Sequence, residues 1–282
     1  MKILLFGKTG QVATEFRKQA AVTALNREQA DLANPEECAS IINFSDADII
    51  INAAAYTSVD KAEEEEHVAN VINGQSPALM ASAAARRNIP FIHISTDYVF
   101  DGSGSNAFSP EAPTKPLGAY GRSKLMGEIG VRAAGGPHAI LRTSWVFSSH
   151  GSNFVKTMLR LGREKERLGV VADQVGGPTA AADIAKALFQ MSVAFHSGKG
   201  PSGTYHFAGA PDISWAGFAR EIFKQSKMAV EVEDILTSSY PTPATRPKNS
   251  RLDCSSLETC FGIERPDWRQ SLSQVIQSKE VD

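Results

Sequence analysis

The chain has 282 residues, room for one large domain or two ordinary ones at about 150 residues each. Its 42% hydrophobic and 21% charged residues place it among folded globular chains, not disordered, fibrous or coiled-coil ones. Lys and Arg number 29 against 31 Asp and Glu, a net charge of −2, so there is no basic excess to neutralise a nucleic acid backbone or an anionic membrane.

The first half alternates short apolar runs with longer amphipathic ones. Runs at 2–6, 47–52, 90–95 and 138–141 read as buried parallel strands. Between them, 11–19, 35–43, 77–87 and 120–133 carry the helical period, several opening on Pro or a polar cap. This alternation specifies an α/β fold, a Rossmann-type doubly wound parallel sheet. Beyond Trp145 the order blurs into helices at 153–165, 181–195 and 215–225, a strand at 203–207 and a Pro-rich stretch at 240–247. We expect residues 1–145 to form a dinucleotide-binding core. Residues 146–282 are expected to complete the sheet and form a smaller substrate lobe across a cleft. Ligands of such sheets bind at the carboxyl ends of the strands.

Gly7, Gly10 and Ala13 give G-x-x-G-x-x-A directly after the first strand, where a turn can cradle a pyrophosphate at a helix N-terminus. At the end of the second strand, Asn26-Arg27 offers a cation where an acid would read a ribose 2′-OH, which makes NADPH plausible beside NADH. An exposed surface role for Arg27 is the alternative. Tyr120 and Lys124 stand four apart at the start of a helix and so share a face, where an ammonium favours a nearby phenolate. Thr96 closes the fourth strand at the crevice and can hydrogen-bond a carbonyl there. The acids Glu63 to Glu66 point around a helix and read as a solvated run, and the scattered histidines show no metal or hydrolase order. Metal is expected to be absent; Mg2+ finds no support. Cys38, Cys254 and Cys260 have neither metal nor disulfide-framework spacing, and no signal-like segment or long apolar run is visible. A cytoplasmic protein that meets neither nucleic acid nor membrane is the expectation. Trp215, Phe218 and Phe223 read as packing in the second lobe.

Several stretches together resemble the extended short-chain dehydrogenase/reductases: 4–12, Asn52-Ala53-Ala54-Ala55, Val59-Asp60-Lys61-Ala62-Glu63, 95–100, Arg142-Thr143-Ser144-Trp145-Val146 and 246–252. The likeness is strongest to the branch that reduces the 4-keto group of a deoxyhexose carried on dTDP, giving dTDP-L-rhamnose. It spans nearly the whole chain. The resemblance implies Thr96, Tyr120 and Lys124 as the catalytic trio. It places Gly7, Thr9, Gly10, Gln11, Val12, Arg27, Asp31, Leu32, Ala53, Ala55, Tyr56 and Thr57, with Tyr120 and Lys124, on an NADPH or NADH cofactor. Thr96, Asp97, Val99, Tyr120, Trp145 and Asn153 fall on a dTDP-sugar substrate. The loop 240–252 is expected to close over that substrate with Arg246 near the diphosphate, the alternative being a salt bridge that holds the loop. The stretch after the second strand is shorter than the family pattern, and Tyr56 stands where a histidine is common. Other epimerases or reductases of the family, and a non-catalytic NADP-binding regulatory subunit, are the competing functions. A dehydratase is disfavoured because Asp97 is followed by Tyr98, not by a second acid. A homodimer is left open.

Overall fold

Alternation along β1 (Ile3–Phe6) sends Ile3 and Leu5 to one face of a sheet and Leu4 and Phe6 to the other, and both faces are covered. The computed structural model describes residues 1–278. After β1 come α1 (Gln11–Gln19), β2 (Thr23–Leu25), α2 (Pro35–Phe44), β3 (Ile49–Asn52), α3 (Glu66–Asn70), α4 (Ser76–Arg86), β4 (Phe91–Thr96), α5 (Ala119–Ala133) and β5 (His138–Thr143). Then follow β6 (Val146–Phe147), α6 (Phe154–Glu164), β7 (Arg167–Val171), β8 (Val175–Gly176), β9 (Thr179–Ala180), α7 (Ala181–His196) and β10 (Gly203–His206). The main sheet is six-stranded and parallel, ordered β10-β5-β4-β3-β1-β2. Its sixth strand, β10, comes from the second half of the chain and pairs with β5.

The chain moves outward from β1 to β2 and then returns to the other side of β1 as β3. That reversal opens a crevice at the carboxyl ends of β1 and β3. Phe16 of α1 and Ile184, Leu188 and Met191 of α7 cover one face; Ile42 of α2, Met80 of α4 and Val131 of α5 cover the other. Ahead of α4 the chain widens into a π-turn over Val71–Gln75. Pro77 has no N–H to give the Asn73 carbonyl, so the regular ladder cannot run through this point.

The remaining elements are β11 (Ile213–Ser214), α8 (Trp215–Gln225), β12 (Glu231–Ile235), β13 (Asn249–Ser250), α9 (Ser255–Phe261) and α10 (Trp268–Gln277). A separate apolar cluster joins α6, α8 and α10 through Val155, Leu159, Phe218, Phe223 and Trp268. Three small sheets, β11-β8-β13, β12-β7 and β6-β9, frame this second lobe.

Candidate active site

The turn after β1 is shaped by glycine. Gly7 has φ +96°, and a Cβ there would sit 2.8 Å from Ala54 N, so only glycine lets β1 and β3 end this close together. Its N–H and that of Lys8 donate to Leu25 O at 3.1 and 2.9 Å. Gly10 caps α1 with extended backbone and no capping side chain, and Thr9 and Gly10 are exposed. The first-turn N–H groups of α1 therefore face the crevice, a site for phosphate oxygens. Arg27 is exposed and donates from Nε to Asp31 Oδ2 at 3.1 Å. The Ala33 N–H, and then Arg27, hold the Asp31 carboxyl below its ordinary range. An acid thus lies beside the cation at the end of β2, which the strand-end reading of Asn26-Arg27 left out. Leu32 is packed in the core. Past β3, Tyr56 donates its phenol to Glu65 at 2.8 Å and its N–H to Asn73 Oδ1 at 2.8 Å.

At the end of β4, the Thr96 hydroxyl donates to Asp97 Oδ1 at 3.0 Å and accepts from the Tyr98 N–H at 3.2 Å. Asp97 is buried, and its Oδ2 has no hydrogen-bond partner. Burial pushes this carboxyl up to about 6, against the pull of the Ser250 and Thr96 hydroxyls. Tyr120 faces the same point. Dehydration, and then the Asp97 charge, raise its phenol above the ordinary value, while the Thr96 hydroxyl pulls it down. Lys124 donates from Nζ to Ile94 O at 2.7 Å and lies 3.3 Å from His93 Nε2, with burial lowering it to about 8. The Tyr-Lys spacing led us to expect the ammonium to favour the phenolate. Here Nζ is turned to Ile94 and His93, and dehydration dominates, so the phenol keeps its proton at neutral pH. Such a group is a proton donor to a developing alkoxide.

Helix α5, which carries both residues, is bolted at each end. A Cβ on Gly121 would collide with the Tyr98 carbonyl oxygen, so glycine lets the helix lie against the β4 turn. Glu63 Oε1 accepts the Ala119 N–H at 2.8 Å, and Glu66 takes Arg122 in a fork at 2.8 and 3.0 Å. Three of the four acids read as a solvated run thus have specific partners, Glu65 holding Tyr56 and Lys61. Further along, buried Glu128 accepts both Arg142 Nε (2.8 Å) and a terminal nitrogen (2.6 Å), and the Ser95 hydroxyl at 2.6 Å. These bonds tie α5 to β4 one residue before Thr96. Among the described residues, no group of three or more His, Cys, Asp or Glu is placed to hold a metal ion, and no helix is long and apolar enough to cross a membrane.

Across the cleft, Trp145 has φ +49°, rare for a bulky residue, and its ring stacks on Trp215 at 3.6 Å between centroids. Trp215 is thus half-buried beside Trp145, whereas Phe218 and Phe223 are core. Asn153 caps α6 and donates to Gln11 Oε1 at 2.9 Å, joining the second lobe to the first turn of α1. Val99 is wholly buried with Phe100 and Leu252, and its carbonyl accepts from Lys115, so its side chain is core and does not line the cleft. Arg246 is held in a fork by Asp60, at 2.8 Å on both oxygens, and by Thr242 at 3.0 Å. In this structure the arginine is the loop's salt bridge. Its partner belongs to the Val59-Asp60-Lys61-Ala62-Glu63 stretch, which the sequence flagged without showing what it meets.

Residues 1–281 match the family model described as RmlD substrate binding domain. The chain belongs to this family. Among its relatives is a dTDP-4-dehydrorhamnose reductase of Sinorhizobium fredii, 43% identical, with 98% of this chain and 97% of the relative covered. One from Escherichia coli K12 is 38% identical, with 98% and 97% covered. A solved dTDP-4-dehydrorhamnose reductase from Clostridium acetobutylicum superposes with a TM-score of 0.92 at 36% identity, covering 98% of each chain. Another, from Bacillus anthracis in complex with NADP, gives 0.91 at 32% identity, covering 97% of this chain and 98% of that one. A dTDP-glucose 4,6-dehydratase from Streptomyces venezuelae, at 17% identity and a TM-score of 0.79, shares the fold.

Proposed function

We propose that the chain reduces the 4-keto group of dTDP-4-dehydro-β-L-rhamnose to the alcohol of dTDP-β-L-rhamnose, with NADPH or NADH as reductant. The observation that carries this is the convergence of Thr96, Asp97, Tyr120 and Lys124 at the carboxyl end of β4, beside the glycine turn. The near-full-length likeness to named reductases supports the substrate. Residues 1–145 are assigned to the cofactor and 146–282 to the sugar nucleotide.

The exposed Thr9–Gly10 turn and the N–H groups at the start of α1, which no side chain caps, fit a pyrophosphate. Arg27 and Asp31 would hold the adenosine ribose, and Lys124 the nicotinamide ribose. The nicotinamide, when bound, supplies the hydride. Thr96 then hydrogen-bonds the C4 carbonyl oxygen, and Tyr120 gives it a proton as negative charge builds there. Ketone, hydride and one proton make the secondary alcohol, the reduced cofactor being oxidised. Asp97 Oδ2, buried and unpartnered, accepts from a sugar hydroxyl, and the Trp145–Trp215 stack covers the apolar face of the ring. Three free cysteines support a reducing, cytoplasmic setting. The test mixes purified protein, NADPH and dTDP-4-dehydro-L-rhamnose and follows nicotinamide absorbance, with the product identified by mass and NMR. A flat trace, or a dehydrated product, defeats the proposal.

A further inference from the structure

Behind Lys124 lies a buried polar chain that this reduction leaves unused. Ala54 N donates to Asn52 Oδ1 at 3.1 Å, and Asn52 Nδ2 lies 3.2 Å from His93 Nδ1. A main-chain N–H can only donate, so it fixes which end of the Asn52 amide it meets and turns the NH2 toward the imidazole. Nδ1 must then accept, and the neutral ring carries its hydrogen on Nε2. Nε2 is 3.3 Å from Lys124 Nζ. Against an ammonium, that N–H would set two donors face to face. Against an amine it meets a lone pair, while Nζ still donates to Ile94 O at 2.7 Å. Asn52 and His93 are 0% exposed and Lys124 2%, so the polarity of this chain is decided within the protein.

We propose that His93 is a positioning residue whose Nε2–H holds Lys124 Nζ as a free amine in the ligand-free protein. It thereby ties the protonation state of that lysine to the main chain of the loop after β3. The inference rests on the reading of Lys124 as part of the reductase site. Burial acts in the same direction on both groups, lowering Lys124 and keeping His93 neutral. Outside the pair itself, the charged group that acts on it is Glu128 on α5, while Tyr120 on the same helix and Asp97 after β4 act on each other. Glu128 favours the lysine cation, but its carboxylate is already shared by Arg142 on β5 and Arg132 on α5. That anion is thus largely spoken for, which leaves the His93 donor to set the balance.

The direct test is 15N NMR of the ligand-free protein with labelled histidine at pH 8.5. A protonated Nε2 and a bare Nδ1 on His93 are expected; the Nδ1–H tautomer overturns the proposal. Asn52→Asp places a carboxylate against Nδ1, which draws the hydrogen there, turns Nε2 into an acceptor and favours the ammonium. In that variant the Lys124 limb of the pH–rate profile should rise by about one pH unit or more; an unmoved limb with a switched tautomer also overturns it. If the variant does not fold, the parent spectrum alone decides. Nε2–H in a chain with no reductase activity would count against the proposed function and leave this inference standing, and Nδ1–H in an active enzyme would do the reverse.

Discussion

Replacing Asp97 by Asn should stabilise the fold at neutral pH while it disables the site. The carboxyl is buried, accepts one hydroxyl at Oδ1 and has an empty-handed Oδ2, and its proton is lost at about 6 where an ordinary aspartate loses it near 3.8. A folded-state value above the unfolded one means that the folded chain holds the proton more tightly. The acid therefore costs nothing well below pH 4, and its cost grows as pH rises from about 4 to about 6, levelling off above. At about 1.36 kcal/mol per pH unit, ionised Asp97 destabilises the fold by about 3 kcal/mol at pH 7.5 and about 1 kcal/mol at pH 4.5. Asn does not titrate. Its amide NH2 inherits the unpartnered Oδ2 position, a penalty of about 1–3 kcal/mol that is the same at both pH values. The stability difference between variant and parent should therefore move in the variant's favour by about 2 kcal/mol between pH 4.5 and 7.5. Urea unfolding at the two pH values, with a common slope, measures it. A difference that does not change with pH, or moves the other way, would show that Asp97 does not bear an ionisation penalty.

Arg246→Ala should weaken dTDP binding by about 1.5–3 kcal/mol, the worth of a hydrogen bond to a charged group, whereas Asp60→Asn, which frees the guanidinium, should not. Equal losses in titration calorimetry would mean that the Asp60–Arg246 pair only holds the loop. Arg27→Ala should raise the Michaelis constant for NADPH and spare NADH, and equal effects would remove Arg27 from the 2′-phosphate. Glu128→Gln leaves Arg142 buried without its counter-charge and should cost about 3–5 kcal/mol in urea unfolding. A loss below about 1 kcal/mol, typical of an exposed pair, would show that the pair does not brace α5.

The main-sheet strands other than β2, which has no buried face to mark it, and most of the longer helices were legible because burial on both faces writes continuous apolar runs and amphipathic helices write a 3.6 period. Helix 215–225 matches α8, and 153–165 differs from α6 only in counting its two caps, Asn153 and Lys165. The π-turn before Pro77 was not legible, since it follows from one missing N–H and leaves no periodic trace. Nor were the second-lobe strands β8, β9, β11 and β13, of two residues each, for two residues cannot show alternation. In the candidate site, Tyr120, Lys124 and Thr96 could be singled out by their spacing and strand-end position, and the structure sets Tyr120 beside Thr96 and Asp97. Asp60, Glu128 and His93 were not, because their roles depend on partners 186, 14 and 31 residues away. The one signal within reach was an acid, Asp60, in one quoted stretch and an arginine, Arg246, in another, which the structure pairs.

The central claim is that Tyr120 gives the proton as hydride reaches C4, and Tyr120→Phe tests it most directly, since it keeps the ring and removes the acid. With NADPH and the keto sugar bound, single-turnover reduction should slow by roughly 100-fold to 10,000-fold, the usual worth of one acid–base group. NADPH and dTDP affinities should remain within about 1 kcal/mol of the parent's, because the variant loses a single hydrogen bond. Reduction by the phenylalanine variant at near the parent rate would contradict the assignment of the whole site.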